Sequence, residues 1–319
     1  MENLKVGMVG AGSWANHVHY PSLAEFKDVS IVAACDLDRG RLEETAVKYG
    51  IEKRYTDYRE MVEQNHLDAA FIIMPPHQLF DIVIHYLKRG LNIFIEKPPG
   101  ASLEQTRSMA LAAERNGCVT MVGFNRRYIP LMRKAKSIVE ERGPITQCVA
   151  TYYKNMVGQG LYFGGAVGLL TSDGIHAVDT LRWIGGEAEK VASDVRSCCA
   201  DYANSFNALV KFRNGCSGLL TTNWAVGKRV HAFEMHAKGV SAFVNPNEKA
   251  VIYSDDKEEG RVITTEEASG SEQFAKYYGY YAEDRHFVDC VREGRQSETN
   301  FDDAVKTMEL VGAILRSKM

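Results

Sequence analysis

The chain has 319 residues, of which 45% are hydrophobic and 25% charged, so it is long enough for two globular domains with separate cores. A net charge of −3 excludes a basic field for nucleic acid or a membrane surface, and without an apolar run of 18 residues no membrane span is expected. The first residues show no secretory pattern, and the seven scattered cysteines form no CxxC pair, so the expected compartment is the reducing cytoplasm.

From residue 1 to 123 short apolar runs alternate with helical patterns. Strands are predicted at Leu4–Val9, Val29–Cys35, Ala69–Met74, Leu91–Ile95 and Val119–Val122. Helices fill the gaps: Arg41–Tyr49 before Gly50, a capping box of Asp57 and Glu60, Ile82–Arg89 before Gly90, and a second box of Ser102 and Gln105. The implied fold is α/β, a doubly wound parallel sheet of the Rossmann type. After a helix over Pro130–Arg142 the pattern changes. Alternating strands follow at Ser205–Phe212 and Cys216–Trp224 around Asn214-Gly215, at Val230–Ala237 and Ser241–Val244, and at Val251–Ser254 and Val262–Thr265. Helices are predicted over Ala166–Ile184, Ala275–Arg292 and Phe301–Ser317. Residues 124–319 therefore read as an α+β domain with a mostly antiparallel, open sheet.

Strand one runs into Gly10-Ala11-Gly12-Ser13-Trp14-Ala15. Gly10 permits a tight turn, Gly12 lets the backbone approach a pyrophosphate, and Ala15 is small enough for close helix packing. The following helix N-terminus offers free N–H groups to phosphate. Asp36 ends the second strand, where a carboxylate binds ribose hydroxyls and repels a 2′-phosphate. NAD is the expected cofactor. Arg39 and Arg41 stand close enough in sequence to leave NADP use open.

Lys97 ends an apolar strand within Glu96-Lys97-Pro98, at the sheet edge where parallel sheets bind ligands. His176 lies on a predicted continuous helix. At about 100° per residue, Asp173, His176 and Thr180 share an arc beside the apolar face, with Ser172 at its edge. Asp173 and His176 are three apart and can meet, so the acid would orient the imidazole. Alcohol oxidation needs a base for the hydroxyl proton and a donor for the developing alkoxide. His176 is the expected base, and Lys97 the expected partner of the reacting oxygen. No metal site is expected, since there is no H-x-x-x-H or Cys/His cluster.

Gly10-Ala11-Gly12, Asp36, Pro75-Pro76-His77, Glu96-Lys97-Pro98, the segment Gly123 to Tyr128 and the helix motif Asp173 to Asp179 occur in one order. That order resembles the Gfo/Idh/MocA oxidoreductases, which act on sugars, cyclitols and related polyols. The resemblance implies cofactor contacts from Gly10, Gly12, Ser13, Trp14, Asp36, Pro75, His77, Glu96 and Lys97, and catalytic positions at Lys97 and His176. It also implies a cofactor or substrate contact for Arg127. Tyr153, Ser172 and Thr180 complete the expected substrate-facing set. Family members commonly carry an aspartate four residues before the histidine, where this chain has Ser172. They also often carry a histidine where this chain has Leu79.

The leading expectation is an NAD-dependent dehydrogenase of a sugar, cyclitol or derivative. A non-catalytic nucleotide sensor, and a reductase of a non-sugar substrate such as a dihydrodiol, are the rivals. Retention of both Lys97 and His176 argues against the sensor. A homodimer or homotetramer through the C-terminal sheet is expected, because long alternating strands need their open face covered.

Overall fold

The computed structural model describes residues 2–317. Its first sheet has six strands: β1 (Leu4–Val9), β2 (Val29–Cys35), β3 (Lys53–Tyr55), β4 (Ala69–Ile72), β5 (Asn92–Glu96) and β6 (Thr120–Gly123). They run parallel in the order β3-β2-β1-β4-β5-β6. This is the doubly wound order, whose reversal at β1 and β4 opens a crevice at the strands' carboxyl ends. The strands β4 and β5 are buried almost throughout, as both faces are covered by helices. Those helices are α1 (Tyr20–Glu25), α2 (Arg39–Tyr49), α3 (Tyr58–Gln64), α4 (Pro76–Leu87) and α5 (Leu103–Arg115).

Both expected capping residues act as such. The Asp57 carboxylate accepts from Arg59 N at 2.8 Å, and Ser102 Oγ accepts from Gln105 N at 3.2 Å. Helix α4 begins at Pro76, ahead of the predicted Ile82, because proline suits a first helical turn. Strand β3 was not predicted; its exposed Lys53 and Arg54 carry no apolar signal.

The second sheet has eight strands: β7 (Gln147–Asn155), β8 (Ala188–Arg196), β9 (Ser205–Phe212), β10 (Ser217–Asn223), β11 (Ala225–Ala237), β12 (Val240–Asn245), β13 (Lys249–Ser254) and β14 (Arg261–Thr264). Their order is β14-β13-β12-β11-β7-β10-β9-β8. Strands β7 and β10 run parallel and the other neighbours antiparallel. Helices α6 (Pro130–Glu140) and α7 (Ile175–Gly185) pack on one face of this sheet. Its strands show the matching alternation of buried and exposed residues. The remaining helices are α8 (Thr265–Ser269), α9 (Phe274–Tyr277), α10 (Tyr280–Glu293) and α11 (Phe301–Arg316).

Two of the long predicted helices are interrupted. The segment predicted as Ala166–Ile184 opens with a π-helical turn at Leu170–Gly174 before α7. The segment predicted as Ala275–Arg292 breaks at Gly279, whose φ of 90° suits glycine and where a Cβ would lie 2.4 Å from the Asn125 carbonyl oxygen.

The chain divides into two compact units. The first comprises residues up to Phe124 together with Tyr280–Val305, and the second Asn125–Gly279 together with the residues from Lys306. The sequence reading placed everything from 124 onward in one domain. Tyr280–Val305 instead completes the first unit, where α10 packs on α1 and the segment before α11 lines β6. There Val122 N donates to Thr299 O at 2.8 Å, and Thr299 Oγ1 returns a bond to Val122 O at 2.8 Å. A pattern of apolar residues could not reveal this return, because it depends on long-range pairing.

In the second unit the Phe212 ring is wedged against the end of α7 and strand β10. A Cβ on Gly185 would lie 2.2 Å from the ring, and one on Gly218 2.6 Å. The ring is fully buried and has no room to yield. Gly185→Ala should therefore cost about 1–3 kcal/mol by overpacking, read as a lower urea midpoint with an unchanged m value.

Candidate active site

The first unit presents a dinucleotide cradle. Gly10 has φ 104°, and a Cβ there would lie 2.3 Å from the Ile73 carbonyl oxygen, so this turn excludes a side chain. At Gly12 a Cβ would meet nothing within 4 Å. The first glycine is thus required by the protein's own backbone, and the second leaves open space above the loop. A cavity of about 310 Å³ lies beside it, lined by Val9, Asp36, Leu37, Tyr58, Met74 and Gln78 among others. Asp36 is buried at the end of β2. Its carboxylate accepts from Ala11 N at 2.7 Å, Asp38 N at 2.9 Å and Arg41 Nη2 at 2.7 Å. Burial works to raise its pKa, but those bonds and the Arg41 charge hold it below the usual carboxylate range. Open space, an ionised acid and backbone donors fit an adenosine dinucleotide. Gly10, Gly12, Ser13, Trp14 and Asp36 would hold it. His77 is exposed in the first turn of α4, next to Pro75.

Glu96, at the end of β5, is buried beneath the loop. It accepts from Trp14 Nε1 at 2.9 Å, from His19 Nε2 at 3.2 Å and from Lys97 N at 2.9 Å. Burial pushes Glu96 up, but the His19 bond and the His19 and Lys97 charges bring it below its ordinary value. Nδ1 of His19 bonds Asp284 of α10 at 2.9 Å. Burial disfavours charge on His19, yet Asp284 and Glu96 push its pKa up to about 10. The sequence reading did not single out His19 or Asp284. His19 sits on the inner side of the turn Ala15–His19, and only the returning α10 brings its partner. The ligand atoms of His19, Glu96 and Glu283 also lie within 4.8 Å of one another. Both His19 nitrogens already carry protons to carboxylates, so the cluster reads as an ion-pair node rather than a metal site.

In the second unit His176 is buried in the first turn of α7. Arg126 Nη1 donates to His176 Nδ1 at 2.7 Å. Asp173 is committed elsewhere. Its carboxylate accepts from Tyr152 Oη at 2.9 Å, Lys154 Nζ at 2.8 Å and Trp224 Nε1 at 2.8 Å. Burial and the Asp173 charge push the Tyr152 phenol well above its ordinary pKa, so it stays a donor. Arg126 thus stands at Nδ1 of the imidazole, while Asp173 holds three donors of its own. The π-helical turn Leu170–Gly174 breaks the continuous helical phase that the sequence argument assumed just before His176.

Most of the expected substrate-facing residues are buried in the second unit. Arg127 is buried in a two-point ion pair, Nε to Asp179 Oδ2 at 2.8 Å and Nη2 to Oδ1 at 2.5 Å. Asp179 also accepts from Thr307 Oγ1 at 2.8 Å, so the motif's last acid is a packing partner. Thr180 is fully buried and donates to the His176 carbonyl at 2.7 Å. Ser172 is buried in the π-helical turn. Tyr153 alternates with Tyr152 along β7 and so faces away from Asp173. Tyr152 and Lys154 are the residues of that strand on the His176 side. Lys97 is half-buried in the first unit and His176 lies in the second.

A parallel 3-2-1-4-5-6 sheet with an open glycine turn and an acid at the end of β2 defines a nicotinamide-dinucleotide-binding oxidoreductase class. Residues 4–124 match the family described as "Oxidoreductase family, NAD-binding Rossmann fold", and residues 132–241 match the GFO/IDH/MocA C-terminal domain. The chain belongs to the Gfo/Idh/MocA family, and its cofactor is NAD. It is 26% identical to the scyllo-inositol 2-dehydrogenase (NAD(+)) of Bacillus subtilis (strain 168), over 88% of this chain and 84% of that protein. It is 23% identical to the myo-inositol 2-dehydrogenase of Thermotoga maritima, over 98% of this chain and 96% of that one. In fold it is similar to a dehydrogenase from Chromobacterium violaceum, with a TM-score of 0.90 at 24% identity over 100% and 96% of the two chains. Among the described residues no helix is long and apolar enough to cross a membrane.

Two predictions follow from these networks. Asp36 should favour NAD(H) over NADP(H), and Asp36→Ser should narrow the gap while Arg41 remains to meet a 2′-phosphate; calorimetry with both cofactors measures it. The second concerns His19. Below the unfolded value of 6.5 the imidazole is protonated in both states, so its contribution to stability is present in full. As pH rises towards about 10 the unfolded chain sheds that proton first, and the contribution is lost across this window. Urea midpoints between pH ~6.5 and ~9.5 should therefore fall more steeply for the wild type than for His19→Gln.

Proposed function

We propose that the protein is a dehydrogenase that transfers a hydride between NAD and a secondary hydroxyl of a sugar, cyclitol or related polyol. The observation that carries the reading is the open Gly10–Gly12 cradle with ionised Asp36 beside it, in a chain whose full-length relatives include inositol 2-dehydrogenases. NAD, when bound, supplies the hydride acceptor. The protein's part is to hold and polarise the hydroxyl and to move its proton. Lys97 and His176 are the groups assigned to that work. Pro98 limits the backbone freedom of Lys97, and the bond from Lys97 N to Glu96 fixes the strand end that carries it. On the second unit Lys154, with Asp173 and Tyr152, is a set of polar groups suited to neighbouring hydroxyls.

The reading includes an oligomer and a cytoplasmic setting. The seven cysteines are free, as suits a reducing compartment. The sheet face opposite α6 and α7 exposes Leu209, Leu219, Phe243, Tyr253 and Val262. Leu209 lies directly across from Leu219, so the apolar surface is continuous between strands. This face is proposed to meet the same face of a second copy.

Turnover of a panel of inositols, aldoses and anhydrosugars with NAD tests the substrate class; activity on none of them would overturn it. Lys97→Ala should bind NADH almost normally, because the pyrophosphate turn is intact, while losing roughly 100-fold or more in turnover. Unchanged turnover on the best substrate would assign Lys97 to structure. Light scattering at micromolar concentration should give a dimer or tetramer, and Leu219→Glu should lower the mass. A wild-type monomer would refute the sheet interface.

A further inference from the structure

We infer that Asp284 and His19 are positioning residues for the cofactor: through Glu96 they hold the Trp14 indole as the wall against which the nicotinamide half of the dinucleotide packs. This role concerns dinucleotide binding alone, so it stands or falls apart from the polyol substrate.

The order of the strands says which half of the dinucleotide lies here. Asp36, at the end of β2, marks the adenosine ribose, and the glycine turn after β1 marks the pyrophosphate. Beyond β1 the sheet continues with β4 and then β5. A dinucleotide that crosses the carboxyl edge from β2 past β1 therefore carries its nicotinamide half over β4 and β5. Trp14 belongs to the glycine turn, yet its Nε1 donates to Glu96 Oε1, at the end of β5, at 2.9 Å. The side chain thus reaches from β1 to β5, past the strand between them.

Two features separate this tryptophan from an ordinary packing residue. It is 40% exposed, and its polar edge is spent on a buried carboxylate. An indole fixed at its N–H and otherwise open to solvent is a rigid apolar wall. Tyr280 of α10 meets it edge-on, with ring centroids 5.4 Å apart at 79°. The oxidised nicotinamide is a cationic ring, which an indole face also attracts.

The direction of the indole bond is set from below. Glu96 Oε1, the atom that takes Trp14, also accepts from His19 Nε2 at 3.2 Å. Its second oxygen takes the amide of Lys97 at 2.9 Å. The carboxylate therefore turns only if the imidazole moves. The imidazole is fully buried, with the rings of Phe94 at 5.2 Å and Tyr280 at 6.4 Å. Its Nδ1 donates to Asp284 Oδ1 at 2.9 Å. Asp284 is fully buried on α10, 265 positions further along the chain. An acid far from the glycine turn in sequence is thus two bonds from the indole.

The test compares NADH with ADP-ribose, which keeps the adenosine and both phosphates but lacks nicotinamide. By calorimetry, Asp284→Asn and Trp14→Ala should each weaken NADH roughly 10-fold and leave ADP-ribose within about twofold. In the Trp14→Ala background Asp284→Asn should change NADH affinity less than about twofold, since the acid acts through the indole. Asp284→Glu keeps the charge and should recover most of the affinity that Asp284→Asn loses. Equal weakening of both ligands would make the cluster a support of the pyrophosphate turn and overturn the inference, as would additive losses in the double variant. If Asp284→Asn does not fold, His19→Gln takes its place in the same cycle. Nitrogen–proton NMR of the wild type gives a second measurement, with the Trp14 indole signal identified by its loss in Trp14→Ala. That N–H should exchange slowly with water before cofactor is added, shift with NADH and stay in place with ADP-ribose. A signal that ignores NADH, or that follows both ligands alike, would refute the assignment.

Discussion

A carboxylate with little access to water must be surrounded by donors, and the first unit is organised around that requirement at Glu96. One oxygen draws in Trp14 from the glycine turn and His19 from the turn that follows, and the other takes the amide of Lys97. His19 in turn needs a second acid, which α10 supplies as Asp284. The cofactor turn, the strand end bearing Lys97 and the returning helix are therefore held by one buried node. Removing one member leaves an uncompensated charge, which is far costlier than the node's net contribution to stability.

The second unit solves a different problem. Residues 170–182 are buried, although the segment carries two aspartates, two threonines, a serine, a histidine and an arginine. Most of these polar groups are bonded inside the unit. Asp173 gathers Tyr152, Lys154 and Trp224; Asp179 takes Arg127 and Thr307; Thr180 bonds back to its own helix. Such bonding gives a rigid platform on which one imidazole has a defined orientation.

Much of this was legible in the chain. The first-unit strands appear as apolar runs because sheets covered on both faces bury every residue. The glycine turn and Asp36 could be read because backbone approach and ribose recognition each demand a residue type at one place. The Asn214-Gly215 hairpin joins β9 and β10 as expected. Lys97 and His176 stand out because functional chemistry puts polar groups inside otherwise apolar segments.

Tertiary structure decided which of those groups face one another. The helical wheel put Asp173 beside His176, but a π-helical turn shifts the phase, and Arg126, fifty positions away, takes the imidazole nitrogen. Arg127, expected at the cofactor or substrate from the family resemblance, is paired with Asp179, and Thr180 donates to the His176 carbonyl. The return of Tyr280–Val305 to the first unit likewise left no local signal. Local sequence sets element type, turn chemistry and the inventory of reactive groups, since these depend on near neighbours. Hydrogen-bond partners, and with them protonation and tautomer, are set by residues distant in the chain, which only the folded backbone brings together.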